Sequence, residues 1–351
     1  MLNTHYMGLD IHKKTISFCI RQSDGTIVQE GTLNANHQAL DEWLLQVPQP
    51  WVAGMEATMF TGWVYDHLTK HSPQVKVAHP AMLKAISAGK KKNDRVDAQK
   101  ISDLLRCNYF PECHVASQEI RDRRRVLRYR NLLVRQSVQM KNRVGCMLME
   151  TGISYNKQKL HQRRYFNQLL KDRANELPSS MPELLRLSRS TIDGLGQMNK
   201  QLLRALQTDE ALGARVQRLM TIPGVGQVLS LTWALEMGDI SRFPSVKDAI
   251  SYCGLCDAEQ SSGGKSQRTP LSKQRNRYLQ TTLVEAAKVA TRWHPELALI
   301  YEREKQKGHR NRGTLAVARK IVAYLLAIDR SGNNFQPLPP SPLTGAATAS
   351  K

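Results

Sequence analysis

The chain has 351 residues, 41% of them hydrophobic and 23% charged. At roughly 100 to 200 residues per domain it can hold two or three cores without disulfide staples, and it is too apolar for wholesale disorder. Lys and Arg number 51 against 30 Asp and Glu, a formal charge of +21, which calls for an anionic partner, nucleic acid before any other; with no run of about 18 apolar residues and no signal-peptide core, a membrane partner is disfavoured and a cytoplasmic, nucleoid-associated location is expected.

From Tyr6 to Asp103, strand-like and helix-like segments alternate as in one α/β domain. Tyr6-Met7-Gly8-Leu9-Asp10 reads as a buried strand, and Ile16, Phe18 and Ile20 alternate with polar or small residues in a second. Ser23-Asp24-Gly25 is a hairpin turn leading to a third strand over Thr26 to Leu33. A helix carrying Leu40, Trp43 and Leu44 follows, then a strand at Trp51 to Met55, a helix through Trp63 and Leu68, a strand at Gln74 to Ala78, and helices beyond Pro80. The order βββαβαβα, opened by three antiparallel strands, is that of ribonuclease-H-like folds.

Between Val115 and Gln207 strand signals fade, and stretches rich in Leu, Arg, Gln and Lys predict extended helices. Arg121 to Arg143 holds nine basic residues (Arg121, Arg123, Arg124, Arg125, Arg128, Arg130, Arg135, Lys141 and Arg143) and one acid, Asp122. A solvated helix face mixes its signs to form i,i+4 pairs, so this surplus favours a phosphate-facing surface. Leu184, Leu187, Leu195, Met198, Leu202, Leu203 and Leu206 form a partial apolar stripe suited to packing on the chain, a helical hairpin or a coiled coil. A compact region runs from Leu219 to Asp329, and Gly332 to Lys351, with its prolines and terminal Ala, Thr and Ser, reads as a disordered tail.

Six scattered cysteines without an export signal predict reduced thiols. Cys253 and Cys256 form a C-x-x-C, half a zinc site whose partner pair is missing, so core or surface thiols are the expectation.

Asp94 and Asp97 are spaced i,i+3, which on a helix brings their carboxylates to one face, about 5 to 6 Å apart at Cβ. An acidic helix start complementing the helix dipole explains such a pair by itself. Asp10 and Glu56, however, each follow an apolar strand, and strand ends collect functional groups in α/β folds. Four convergent carboxylates supply hard oxygen ligands for Mg²⁺, which activates attack and stabilises the leaving oxygen in phosphodiester cleavage. Lys90, Lys91, Lys92 and Arg95 surround the acidic pair and suit a polyanion near the metal.

Further on, Ile222-Pro223-Gly224-Val225-Gly226 has the glycine-rich turn of a helix-hairpin-helix, whose backbone N–H groups at Gly224 and Gly226 meet a DNA phosphate, although a plain helix–helix turn has the same look. It lacks the ending of a P-loop. Ser261-Ser262-Gly263-Gly264-Lys265, with Arg268 beyond, fits a hydroxyl set against a scissile phosphate between cations, or equally a flexible surface loop.

Taken in order, Gly8-Leu9-Asp10, Met55-Glu56-Ala57-Thr58, Asn93-Asp94-Arg95-Val96-Asp97-Ala98, Ile222-Pro223-Gly224-Val225-Gly226, Tyr252-Cys253-Gly254-Leu255 and Ser261-Ser262-Gly263-Gly264-Lys265 resemble the DEDD-type transposases of the insertion-sequence family numbered one hundred and ten, with its eleven-eleven subgroup and pilin-gene invertases. The resemblance spans nearly the whole chain. It implies a RuvC-like domain over 1–112 whose Asp10, Glu56, Asp94 and Asp97 bind Mg²⁺, with Mn²⁺ as substitute; a basic helical or coiled-coil region over 113–212; a mostly helical C-terminal transposase domain over 213–331; and a disordered tail over 332–351. It further implies Ser262 as nucleophile forming a phosphoserine link to DNA, with Ser261 as the fallback. Donor and target DNA, a non-coding bridge RNA, and homodimers pairing into tetramers are the partners it implies. A RuvC-like junction nuclease without a covalent intermediate and a non-catalytic nucleic-acid-binding protein are the competing readings.

Overall fold

The computed structural model describes residues 4–72, 74–86, 93–257, 259–262, 265–268, 271–272 and 274–336. Lys90, Lys91, Lys92, Gly263, Gly264 and the tail from 337 onward lie outside the described residues. Two compact units divide the chain, Met1–Gln118 and Glu119–Lys351, and among the described residues no helix is long and apolar enough to cross a membrane.

In the first unit the elements run β1 (His5–Ile11), β2 (Thr15–Arg21), β3 (Ile27–Asn34), α1 (His37–Leu44), β4 (Trp51–Glu56), α2 (Thr61–Leu68), β5 (Val75–Ala78), α3 (Pro80–Ile86) and α4 (Asp94–Arg106). The strands form one mixed sheet in the order β3-β2-β1-β4-β5. β1, β2 and β3 pair antiparallel, whereas β4 pairs parallel to both β1 and β5. The anticipated element order is realised, an arrangement consistent with a ribonuclease-H-like domain.

Strand pleating assigns each face of this sheet a separate task. Met7, Leu9 and Ile11 point to one side, where they share a core with Leu40 and Trp43 of α1 and Val64 and Leu68 of α2. Gly8 and Gly54 point to the other, and there α4 lies on the backbone. A Cβ at Gly8 would stand 2.1 Å from the Ala98 carbonyl oxygen, and one at Gly54 2.7 Å from Leu105 Cδ1. Both distances are below any real contact; at Gly8 the neighbour is α4 backbone, so Gly8 sets how close α4 comes, while Gly54 makes room for the Leu105 side chain.

Among its described residues the second unit is helical apart from one antiparallel strand pair: α5 (Gln118–Glu150), α6 (Arg163–Asp172), α7 (Met181–Gln207), α8 (Glu210–Met220), α9 (Gln227–Met237), α10 (Val246–Tyr252), β6 (Glu259–Ser262), β7 (Lys265–Arg268), α11 (Arg277–Ala290), α12 (Pro295–Gln306) and α13 (Arg310–Ser331). Residues Leu229 to Met237 of α9 are all buried, Ser230, Thr232 and Glu236 among them, so this helix is enclosed on every side. It sits in a core with Leu212 and Val216 of α8, Leu279 and Leu283 of α11, and Val317, Ile321 and Leu325 of α13. A separate core joins Val144, Met147 and Leu148 of α5 to Phe166 and Leu169 of α6 and Leu185 and Ile192 of α7.

Three expectations change. α7 buries Met181, Leu185, Ser188, Ile192 and Leu206; of the anticipated stripe Leu206 is in the α9 core with Leu203 against it, while Leu184, Leu187 and Met198 are exposed. Leucines three and four apart offer two overlapping stripes, and the one facing Phe166 and Leu169 wins. Ser261 and Ser262 end a strand, β6, that pairs antiparallel with β7, Ser262 opposite Lys265 and Glu259 opposite Arg268. Finally, the residues just past α13 do not all behave as tail: Phe335 packs against His294 and Tyr324, and its backbone N–H donates to Thr221 Oγ1 at 2.8 Å.

Candidate active site

Asp10 alternates with Leu9 and Ile11 along β1, so its side chain leaves the sheet on the side of Gly8 and α4. The first turn of α4 carries Asp94 and Asp97, and Asn93 caps it by accepting the Val96 N–H at 2.8 Å. Between the acids stands His12, whose Nε2 is 3.1 Å from Asp10 Oδ2 and 3.4 Å from Asp94 Oδ1. Donor atoms of Asp10, His12 and Asp94 all lie within 4.8 Å of one another.

Burial raises the Asp10 carboxyl above its ordinary range, His12 offsets part of that, and the charges of Asp94 and Asp97 push it up again. A half-buried acid among like charges is the electrostatic setting that a cation relieves. Asp97 pairs with Lys100 at 3.6 Å. Glu56 ends β4, one residue beyond the Leu9–Met55 pair, which puts it at the strand end beside Asp10. It lies outside the group of ligand atoms that converge within 4.8 Å. Two of the four anticipated acids are therefore drawn together by His12, with the other two at the margin. His12 escaped the sequence reading because it follows the strand, in the turn, and only its position two residues after Asp10 marks it.

These residues fit a divalent metal: aspartate oxygens are hard donors suited to Mg²⁺, and the imidazole is a donor Mn²⁺ accepts more readily. Cys253, in contrast, is buried in the α9 core, and burial pushes its thiol far up. Neither it nor Cys256 belongs to any group of three convergent metal-ligating residues among the described residues.

The anticipated nucleic-acid contacts divide. Arg95 pairs with Glu30, which also accepts from Gln99 at 2.7 Å. On α5, Arg125 is exposed and pairs with Asp122 at 2.5 Å, and Arg121 has partners of its own. Arg124 and Arg128 correct the expectation of a uniformly phosphate-facing helix. Arg128 holds both oxygens of Glu236 at 2.9 Å, and Arg124 donates to the Leu235 carbonyl at 2.6 Å and the Glu236 carbonyl at 3.1 Å. Glu236 is 1% exposed and also accepts from Asn276 at 2.9 Å, so these two arginines neutralise a buried acid at the end of α9.

The glycine turn joins α8 to α9. Gly224 has φ +84°, and a Cβ there would stand 2.6 Å from Ala290 Cα, so it serves the packing of the turn on α11. Gly226 caps α9, is exposed, has nothing within 4 Å of its Cβ position, and no side chain caps the first turn of α9 by hydrogen bonding. In the strand pair, Lys265 and Arg268 lie on β7 opposite Ser262 and Glu259.

A basic concavity that the sequence did not announce lies between α5, α6 and α7. One lobe of about 430 Å³ is lined by Arg163, Arg186, Arg189 and Asp193, and an adjoining one by Lys141, His161, Arg189 and Lys200. Asp193 holds Arg163 and Arg189 in place at 2.9 Å each, leaving five cations to one acid. His161 reports the resulting field: burial lowers its pKa first, and Lys141 and Arg189 lower it further.

Residues 216–302 match the family model described as "Transposase IS116/IS110/IS902 family", and residues 7–153 match a second, described as "Transposase", for DEDD transposases of the IS110 kind. The chain is 25% identical over 343 residues to the transposase for insertion sequence element IS1328 of Yersinia enterocolitica, covering 95% of this chain and 99% of that one. It is 26% identical over 255 residues to a probable family 20 transposase of Pseudomonas aeruginosa, 72% and 74% of the two chains. With the pilin gene-inverting protein of Moraxella bovis it shares 26% over 185 residues, 51% of this chain and 56% of the other. The acid cluster falls inside one matched segment and the glycine turn and strand pair inside the other; the chain belongs to the IS110 family of transposases, enzymes that process DNA.

Proposed function

We propose that this transposase cuts and rejoins DNA with a divalent metal, Mg²⁺ or in its place Mn²⁺, held by Asp10 and Asp94 with Asp97 and Glu56 contributing, and with Ser262 as nucleophile. The observation that carries the metal assignment is the convergence of Asp10, His12 and Asp94 within 4.8 Å on the α4 side of the sheet. A divalent ion there would supply charge stabilisation for a scissile phosphate. His12 positions the Asp10 carboxylate through its 3.1 Å hydrogen bond. The serine oxygen displaces a sugar oxygen at phosphorus, the sugar leaves as a free hydroxyl after taking up a proton, and the DNA stays linked to the protein until the reverse displacement rejoins it. Support for the serine comes from its place at the end of β6, paired with Lys265 on β7.

The start of α9 at Gly226 and the cations of the α5–α6–α7 concavity suit phosphodiester backbone. DNA is the substrate under this reading, a non-coding RNA is the guide, and dimers pairing into tetramers are the working assembly. Ser262→Ala should abolish a protein–DNA adduct that survives denaturing electrophoresis, whereas Asp10→Asn should abolish metal-dependent cleavage. Cleavage by the Ser262→Ala chain without any adduct would favour the junction-nuclease alternative. Sequencing the nucleic acid that copurifies tests the guide, since one discrete non-coding species is expected.

A further inference from the structure

Two groups of metal-ligating side chains converge among the described residues. One is the acid site. The other comprises Asp41, His67 and His71, whose donor atoms also lie within 4.8 Å of one another. Asp41 is on α1, His67 in the last turn of α2, and His71 in the turn that follows. α1 and α2 pack on the Met7, Leu9 and Ile11 side of the sheet, opposite to α4, so this group and the acid site occupy different faces of the domain.

We infer that Asp41, His67 and His71 form a second metal site, for a divalent transition ion of the zinc class. Two imidazoles and one carboxylate are the donors such an ion prefers, with a fourth position left to water. The rings of His67 and His71 lie 5.7 Å apart, centroid to centroid, as the chain turns at the end of α2. Two further contacts favour a ligand set over a chance cluster. His67 Nε2 and Asp41 Oδ1 are 2.6 Å apart, a direct hydrogen bond that keeps the two donor atoms side by side where an ion would take the place of the shared proton. The other nitrogen of His67, Nδ1, is 3.2 Å from Nδ1 of His37. A metal-binding histidine hydrogen-bonds through its second nitrogen to a neighbour that fixes its tautomer, and His37 is placed to be that neighbour.

The side chain of His67 is 9% exposed, which limits its freedom and preorganises the site, while Asp41 and His71 are exposed and leave an entry path. None of this depends on the transposase reading. The acid site holds oxygen donors around one histidine and suits a hard ion, whereas here two imidazoles dominate and hard ions are disfavoured.

The test uses the full-length chain, stripped with a chelator and titrated with Zn²⁺ by calorimetry and with Co²⁺ by visible absorption. Wild type should take up one ion that His71→Ala and Asp41→Asn each weaken by about 100-fold or more, with the Co²⁺ bands lost. His37→Ala should weaken it by ~10- to 100-fold, the usual effect of removing a supporting contact. His71 is exposed, so His71→Ala should keep the metal-free melting temperature while losing the rise that Zn²⁺ gives wild type. Asp10→Asn and Cys256→Ser must retain the ion, which separates this site from the acids and from the C-x-x-C. Equal Zn²⁺ affinity in wild type, His71→Ala and Asp41→Asn, or no uptake by wild type, would overturn the proposal and leave a hydrogen-bonded Asp–His–His cluster only.

Discussion

Gly8 of β1 faces the backbone of Ala98 in α4 so closely that a Cβ would stand 2.1 Å from the Ala98 carbonyl oxygen. Since α4 carries Asp94 and Asp97 in its first turn and β1 carries Asp10, this contact sets the distance between the acids. Gly8→Ala should push α4 outward, destabilise the chain by about 1 to 3 kcal/mol through overpacking, and lower metal-dependent cleavage more than DNA binding. Thermal melts and cleavage assays at matched folded fraction check this; full activity in a folded Gly8→Ala chain would show that the acid spacing is not set there.

His12 is the residue that joins the two best-placed acids. His12→Ala should leave the fold intact, because the side chain is half exposed, yet raise the Mg²⁺ concentration needed for half-maximal cleavage by ~10- to 100-fold, as loss of a supporting contact does. A metal titration of cleavage reads it. An unchanged Mg²⁺ requirement would remove His12 from the site.

Glu236 is a stability residue in the midst of an arginine-rich segment. Glu236→Ala removes the carboxylate that accepts from Arg128 and Asn276, while Arg124 keeps its bonds to the Leu235 and Glu236 carbonyls and Arg128, 43% exposed, can turn to water, so the loss should be about 1 to 3 kcal/mol. Denaturant unfolding should show the loss. Arg125→Ala, by comparison, should shift stability by less than ~1 kcal/mol, since its pair with Asp122 is exposed.

The basic concavity makes a salt-dependent prediction. Arg186→Ala with Lys200→Ala should weaken DNA or RNA binding equally across sequences and flatten the dependence of log K on log salt by about 1 to 2. Melting temperature should barely move. A salt slope identical to wild type would place the nucleic acid elsewhere.

Thiol chemistry reports the core directly. Cys107 and Cys146 are exposed and should react with a disulfide reagent in the folded chain, whereas Cys253 is buried with its pKa raised by desolvation and should react only after denaturation. Mass spectrometry of partly labelled chain distinguishes them, and rapid native labelling of Cys253 would contradict the packing of α10 on its core.

Much of the first unit was legible because its signals are local. Alternation fixes a strand and its two faces, and a carboxylate directly after an apolar strand announces itself, so the sheet and the acids could be anticipated from Tyr6, Leu9, Asp10, Met55 and Glu56. The helical half was less legible. Leu184 and Leu185 are equally apolar, yet one is exposed and the other buried. The arginines of α5 look alike in sequence, but Arg128 meets Glu236 across 108 residues, and no local pattern encodes that pairing.

The order of elements, the excess of positive charge and the residue types able to bind a metal follow from composition and short-range periodicity alone. Tertiary structure decided which of them meet. His12 bridges Asp10 and Asp94 because β1 and the start of α4 are brought together by glycine-permitted packing. Asp41 reaches His67 because α1 and α2 share one face of the sheet. Contacts between residues far apart in the chain depend on how close two backbones can approach, which is a property of the folded packing.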